Sequence, residues 1–589
     1  MNKTWNLDPI YKGFSDPVFA SDMQALEEAI SAFDAFTKTL SGTDDCLAAL
    51  HKGISLQETL SVLVEKLATY TSLRQAANTK DPEPGSQMGR ILALYSKIAA
   101  PQAAFETWAS GQENLMELVQ QDEKLREYTF LFENMKDNSR HLLPGLGEEI
   151  MAKMSISGGS AWSDLHGYIT STVPVTYRGE VTNLSAIRNL AYDPDSRVRK
   201  EAYDAELACY GRIEAPAAFA MNSIKLETLT DCQLRGYESP MERTLKQSHL
   251  SRKTLDAMLE AIRAYLPKFW KYLRCKAKAM GHPEGLPWYD LFAPMGKTSA
   301  KLTTEDAYDY LMKVFSQFDG ELAGMIDRAF KEEWIDFYPR DGKSGGAFCA
   351  AVPSIRQSRV LANFDGSFSD IITLAHELGH GFHNLCIQNQ RPLNLEYSLP
   401  LAETASTFNE CVVMASAIRD AKDKEEKLAL IESQLQDATQ IICDIYSRYL
   451  FETAVFERRP EEFMDAAALC QIMTDAQKQA YGDGLAEGHP YMWVCKSHYY
   501  GPTFYNFPYA FGGLFARGLY AQYEKEGAAF VPKYKKLLEK TTVACAEDVA
   551  KQADIDLTDK AFWQAGLEMI GQQIDLFCEL MEESVWIRK

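Results

Sequence analysis

From Phe368 to Cys386 the chain reads FSDIITLAHELGHGFHNLC. Ile371, Ala375, Leu378, Phe382 and Leu385 recur at three- and four-residue spacing, the pattern of an amphipathic helix. Asp370, with Ser367 and Ser369 as further cap candidates, marks where that helix starts. His376 and His380 fall on a different face, one turn apart. Four residues advance a helix by about 6 Å and about 40°, so both imidazoles can converge on one ion. Neutral imidazole is a ligand suited to zinc. Glu377 is one residue on and points beside the ion, where a carboxylate can take a proton from an attacking water. With 10 histidines and 82 acidic residues in 589 positions, such a triplet arises by chance only about 0.02 times per chain.

A hydrolytic zinc site needs a third protein ligand and an open position for water. The pattern with Gly at 383 and His at 386 fails, because the chain has His383 and Cys386. His383 shares a face with His376, but the rise between them is about 10 Å, awkward for one compact tetrahedron. It reads as a residue lining the site more readily than as a ligand. Glu396, Glu403 and Glu410 remain. Glu403 sits early in a second helix, with Ser398 as a cap, Pro400 in its first turn and small neighbours (Ala402, Ala405, Ser406) that allow close approach to the histidine helix. Glu396 lies in the connection, and Glu410 is about 10 Å further along the same helix, where it reads as a solvated charge. Glu403 is the preferred third ligand.

The run HELGHGFH, followed by LAETASTFNE over residues 401–410, resembles the thimet oligopeptidase superfamily, and most closely its oligoendopeptidase F branch. The segment Trp5-Asn6-Leu7-Asp8 and the overall length share that likeness. The resemblance implies a zinc-dependent endopeptidase acting on short peptides, with one Zn2+ per chain. It makes His376, His380 and Glu403 the metal ligands and Glu377 the general base. It also implies a mostly helical, two-lobed fold with a small β element beside an enclosed substrate channel. The segment 496–509, KSHYYGPTFYNFPY, matches the family's loop of His and Tyr donors for the tetrahedral intermediate, which assigns His498, Tyr505 and Tyr509 to that role. Residues 341–348, DGKSGGAF, resemble a family segment that runs beside the substrate. A strand edge there can hydrogen-bond an extended peptide without reading its sequence.

Further from the motif, charged and apolar residues alternate at helical spacing over 21–40, 255–279 and 425–458. Strand-like alternation occurs over 168–182, around Pro174, and over 348–364, closed by Asp365-Gly366. The expected fold class is therefore mostly α with a small β element. Gly145 to Gly159 is rich in glycine and serine, and Tyr192-Asp193-Pro194-Asp195 reads as a turn before a helix from Arg197. These features suggest an N-terminal helical region over 1–195 and a catalytic region over 196–589.

The net charge is −21. A surface that acidic repels phosphate backbones and anionic membranes, so neither nucleic acid nor membrane is an expected partner. The twelve cysteines show no C-x-x-C pair, which argues for reduced thiols and against a disulfide framework or a zinc ribbon. The N-terminus has no basic stub followed by an apolar run, and no apolar stretch approaches the ~18 residues of a membrane span. The expected compartment is the cytoplasm.

Overall fold

The computed structural model describes residues 4–296 and 301–583. Among these, helices dominate, and the strands form two small sheets. The chain alternates between two compact units. One comprises Met1–Arg140, Ser299–Met414 and Tyr523–Asp554; the other comprises His141–Thr298, Ala415–Gln522 and Ile555–Lys589. The units are thus interleaved in sequence, and residue 195, where the composition suggested a boundary, lies within the second.

In the first unit, helix Pro17–Thr37 starts four residues before the sequence pattern suggests. Asp16 accepts a hydrogen bond from the Val18 amide, and Pro17 occupies the first turn, where its missing N–H costs nothing. This helix packs on the 32-residue helix Cys46–Ala77. At their contact with Ala99–Ser110, Gly53 lies against Phe105 so closely that a Cβ would fall 2.1 Å from the ring. The same core takes in Val352 and Leu361 of the unit's sheet.

That sheet has the order β3-β5-β4, with β3 Ile335–Asp336 parallel to β5 Gln357–Leu361, and β4 Phe348–Val352 antiparallel to β5. The apolar alternation over 348–364 thus becomes a hairpin, and β4 is an edge strand. The glycine-rich stretch before it is tied down: the Thr79 and Ser344 amides bond the Gly342 and Ala76 carbonyls at 2.6 and 2.9 Å. Lys343, whose side chain is fully buried, pairs with Asp336 at 2.7 Å. The histidine helix, Phe368–Ile387, packs against both β4 and β5 and against helix Phe530–Lys540.

In the second unit, helix Arg252–Ala279 lies along the C-terminal helix Lys560–Glu583. Tyr272 meets Phe577 edge-on at 5.2 Å, and Lys268 and Lys271 both reach Asp575 at 2.7 Å. The helical pattern over 425–458 is realised as two helices, Lys424–Thr439 and Ile445–Arg458, separated by a π-helical turn at Gln440–Asp444. The strand pattern over 168–182 begins too early. Residues up to Thr172 close helix Gly159–Thr172, and only β1 Val175–Tyr177 and β2 Glu180–Thr182 pair. Their turn, Arg178-Gly179, has φ of 50° and 86°, the left-handed pair that a tight hairpin requires.

No described helix is long and apolar enough to cross a membrane. All cysteines are free thiols.

Candidate metal centre

The histidine helix begins with a capping box. The Ser367 hydroxyl accepts from the Asp370 amide, and the Asp370 carboxylate accepts from the amides of Asp365, Gly366 and Ser367 at 2.9 Å each. Ile371, Leu374, Ala375, Leu378 and Phe382 are buried, whereas Leu385 is only half-buried. This burial sets the helix's rotation and leaves His376 and His380 on the opposite side. Their rings stand 4.9 Å apart, nearly perpendicular.

Glu403 reaches the same point from the following segment. It occupies the joint between the short turn Leu399–Ala402 and helix Thr404–Asp420. Ser398 holds the N-cap position of that turn but makes no capping bond. The joint comes close because Gly379 leaves room: a Cβ there would lie 2.6 Å from the Ala405 carbonyl oxygen and the Ser406 Cα. Asn409 adds a clasp, donating to the Ala375 carbonyl at 3.1 Å.

Glu403 Oε2 lies 3.3 Å from His376 Nε2 and 3.4 Å from His380 Nε2, and the three ligand atoms all fall within 4.8 Å of one another. Two donors about 2.0–2.1 Å from a tetrahedral zinc stand about 3.3–3.4 Å apart. The donor set and its spacing therefore fit such an ion. The Ser406 hydroxyl donates to Glu403 Oε2 at 2.8 Å, and Glu410 Oε1 accepts from His376 Nδ1 at 2.6 Å, which makes Nε2 the lone-pair atom of the neutral ring.

Charges follow this geometry. Burial disfavours the charged form of His376, but hydrogen bonds to Glu403 and Glu410 outweigh it and raise its pKa to about 10. Burial likewise opposes ionisation of Glu403, yet the two histidines hold it far below the usual carboxylate range. Glu377, 6% exposed, goes the other way. Burial raises its pKa, against the pull of His376 and His380. The Cys349 thiol of β4 lies near it, pushed up by burial and by the Glu377 charge.

His383 turns elsewhere. It is fully buried, stacks on Tyr397 at 4.3 Å, and bonds the Thr541 hydroxyl through Nε2 at 2.7 Å. Burial pushes its pKa down to about 3. Neither His383 nor Glu396 belongs to the group of converging ligand atoms. Glu410, which the sequence presented as a solvated charge, instead buttresses His376. The signal was its seven-residue spacing from Glu403, two turns along one helix face.

In the second unit, His498, Tyr505 and Tyr509 form one aromatic group. Tyr505 stacks on His498 at 5.4 Å, and Tyr509 meets both rings edge-on. Burial, with Arg448 and Lys496 nearby, lowers the His498 pKa and so favours the neutral ring. The loop is held from beneath by Glu452, 1% exposed, a residue the sequence did not single out. Glu452 accepts from Lys225 Nζ at 2.6 Å, from the Phe504 amide at 3.1 Å and from Asn506 Nδ2 at 2.7 Å. Phe504 sits at φ 52°, a conformation that needs such support.

Comparison with known proteins shows the family. The model of peptidase family M3 matches residues 189–569, and that of the Oligopeptidase F N-terminal region matches residues 106–173. Oligopeptidase PepF of Bacillus subtilis is 24% identical over 98% of this chain and 87% of its own length. An oligoendopeptidase F homolog of Lactococcus lactis is 24% identical over 99% and 98%. Among solved structures, a Chlamydophila abortus protein superposes with a TM-score of 0.83 at 18% identity, covering 97% of this chain and 98% of its own. Oligoendopeptidase F from Enterococcus faecium gives 0.71 at 18% identity, covering 96% and 99%. With the M3 model spanning more than half of the sequence and the histidine–glutamate group assembled, the chain belongs to peptidase family M3, in its oligoendopeptidase F branch, and is a metallo-endopeptidase.

Proposed function

We propose that this protein is a zinc-dependent endopeptidase that hydrolyses internal bonds of short oligopeptides, with Glu377 as general base. The observation that carries the reading is the convergence of His376, His380 and Glu403 beside a buried, otherwise uncommitted carboxylate. A zinc ion held by these three would supply a Lewis acid that acidifies water and polarises the scissile carbonyl. Glu377 takes the proton of the attacking water and returns one to the leaving amine. The edge strand β4, packed on the histidine helix, offers backbone groups to an extended peptide, which suits a substrate read by its main chain. The family resemblance and the packing of the three rings support His498, Tyr505 and Tyr509 as donors to the oxyanion. Loss of one such donor costs about 100- to 1,000-fold in rate.

The test is a short internally quenched peptide blocked at both ends. Cleavage that a chelator abolishes and zinc restores supports the reading; cleavage only of peptides with free ends would make the enzyme an exopeptidase. Glu377→Gln keeps the metal and loses about 100- to 10,000-fold in turnover. Near-native turnover of that variant would remove Glu377 from the mechanism. Because the base must be ionised and burial raises its pKa, the rate falls as pH drops through a value above the ordinary 4.5.

A further inference from the structure

A cavity of about 210 Å3 opens in the second unit beside the exposed ring of Tyr192. Helix Leu184–Asn189 contributes Arg188, and helix Ser196–Tyr210 contributes Tyr203 and Glu206. Trp288 and His489 line its buried part, with Lys496 alongside.

Its charges do not cancel. Arg199, which also lines the cavity, is fully engaged: its guanidinium pairs with buried Asp290 at 2.7 Å and donates to the Asp193 carbonyl. Arg188 has one carboxylate, Glu206, at 3.4 Å. Lys496 has no ion pair or hydrogen bond through its ammonium among the described residues. Burial disfavours that ammonium, and Asp444, whose charge favours it, is itself bonded to Arg448. Arg188 and Lys496 against Glu206 leave one positive charge in excess, in a chain whose net charge is −21.

His489 points the same way. It is 1% exposed, and its Nδ1 accepts the Tyr491 amide proton at 3.2 Å, so the ring proton is on Nε2. No acceptor lies within hydrogen-bond distance of that N–H; the Glu206 carboxylate, at 3.7 Å, meets it through charge at longer range. A buried donor without an acceptor is costly to keep, and it is expected where a ligand completes it. The rings of Tyr203 and Trp288 flank the imidazole at 5.5 and 5.6 Å. The volume falls below the ~300–1,000 Å3 of pockets for drug-sized ligands, which suits a group the size of one amino acid.

We propose that this cavity binds the α-carboxylate of an amino-acid residue with an apolar side chain, the carboxylate meeting Lys496 and the His489 N–H and the side chain packing against the aromatic lining of Tyr203 and Trp288. The choice of an amino-acid carboxylate rests on the peptidase reading above; the anion site itself does not. Two sources share this chemistry, the free C-terminus of a peptide substrate and a released product.

Calorimetry on full-length Glu377→Gln protein, whose turnover is slowed about 100-fold or more, tests binding apart from catalysis. N-acetyl-phenylalanine binds, and its amide binds about tenfold or more weakly, since one charge-assisted hydrogen bond is worth that much. Lys496→Met abolishes this difference, Lys496→Arg restores most of it, and inorganic phosphate does not displace the ligand. Arg188→Met, at the cavity's exposed side, gives a second reading should Lys496→Met fail to fold, and it too narrows the difference. Equal binding of acid and amide, or an unchanged preference in the variants, overturns the proposal. In the active enzyme, a KM that rises on C-terminal amidation of the peptide, but not in Lys496→Met, identifies the substrate terminus. Inhibition by N-acetyl-phenylalanine without an amidation effect identifies product. The absence of both effects overturns the amino-acid assignment, whatever the binding result.

Discussion

Glu410 Oε1 lies 2.6 Å from Nδ1 of His376, so the ring's proton is committed to that carboxylate and Nε2 is left facing His380 and Glu403. Orientation of this kind is worth about 10- to 100-fold in metal affinity. Glu410→Ala is expected to lose that much in a chelator competition, with a smaller effect on kcat per bound metal. Unchanged affinity would show that the contact does not position the ring.

The same contact makes metal loading compete with a proton. In the metal-free chain burial works against a charged His376, but Glu403 and Glu410 carry its pKa to about 10, above the ordinary 6.5. The stability contributed by that charge is therefore fully present below pH 6.5 and lost as pH rises through about 10. A ligating imidazole must be neutral, so loading near neutral pH releases about one proton and affinity rises with pH. Calorimetric titration with zinc in two buffers of different ionisation enthalpy measures the release, and a value of zero contradicts the raised pKa.

Gly379 sets the separation of the two segments that carry the candidate ligands. In Gly379→Ala the new methyl meets backbone atoms of Ala405 and Ser406 at 2.6 Å, which cannot swing aside as a side chain would. The expected cost is about 1–3 kcal/mol in urea unfolding, with weaker metal binding because Glu403 moves with its helix. Gly324→Ala is the control. It lies in helix Gly320–Lys331 with nothing within 4 Å of its Cβ, and it should stabilise by about 0.4–1 kcal/mol.

Glu452 holds the backbone of Phe504 and the side chain of Asn506, either side of Tyr505. Glu452→Gln leaves the buried Lys225 ammonium without its counter-charge, at a cost of about 3–5 kcal/mol. Adding Lys225→Met removes the stranded charge and returns much of the stability, but not the amide clamp. The double variant is expected to melt near the wild type while its kcat stays depressed and its KM changes little. Full recovery of kcat would make the pair a matter of stability alone.

The helix that carries His376 and His380 was legible because everything that makes it is local. A cap, an apolar period and a four-residue spacing all lie within twenty consecutive residues. Glu403 was reachable for a related reason: small residues around it announced a close helix approach, and Gly379 against Ala405 is that approach. The pattern over 425–458 shows where such reading stops. Its period is helical throughout, yet a π turn at Gln440–Asp444 interrupts it, placing Ile441 against Gly513, a residue about seventy positions away.

The amino-acid order alone thus determined the helical class and the histidine pair with its adjacent carboxylate, and pointed to Glu403 as the candidate third ligand, since each depends on spacing along one or two neighbouring helices. Tertiary structure decided the rest. It turned His383 into a stacked, buried neutral ring, made Glu410 the partner of His376, set Glu452 beneath the tyrosine loop, and threaded two compact units from alternating stretches of chain. Those outcomes depend on which side chains meet across hundreds of residues, and helical periodicity carries no information about partners at that distance.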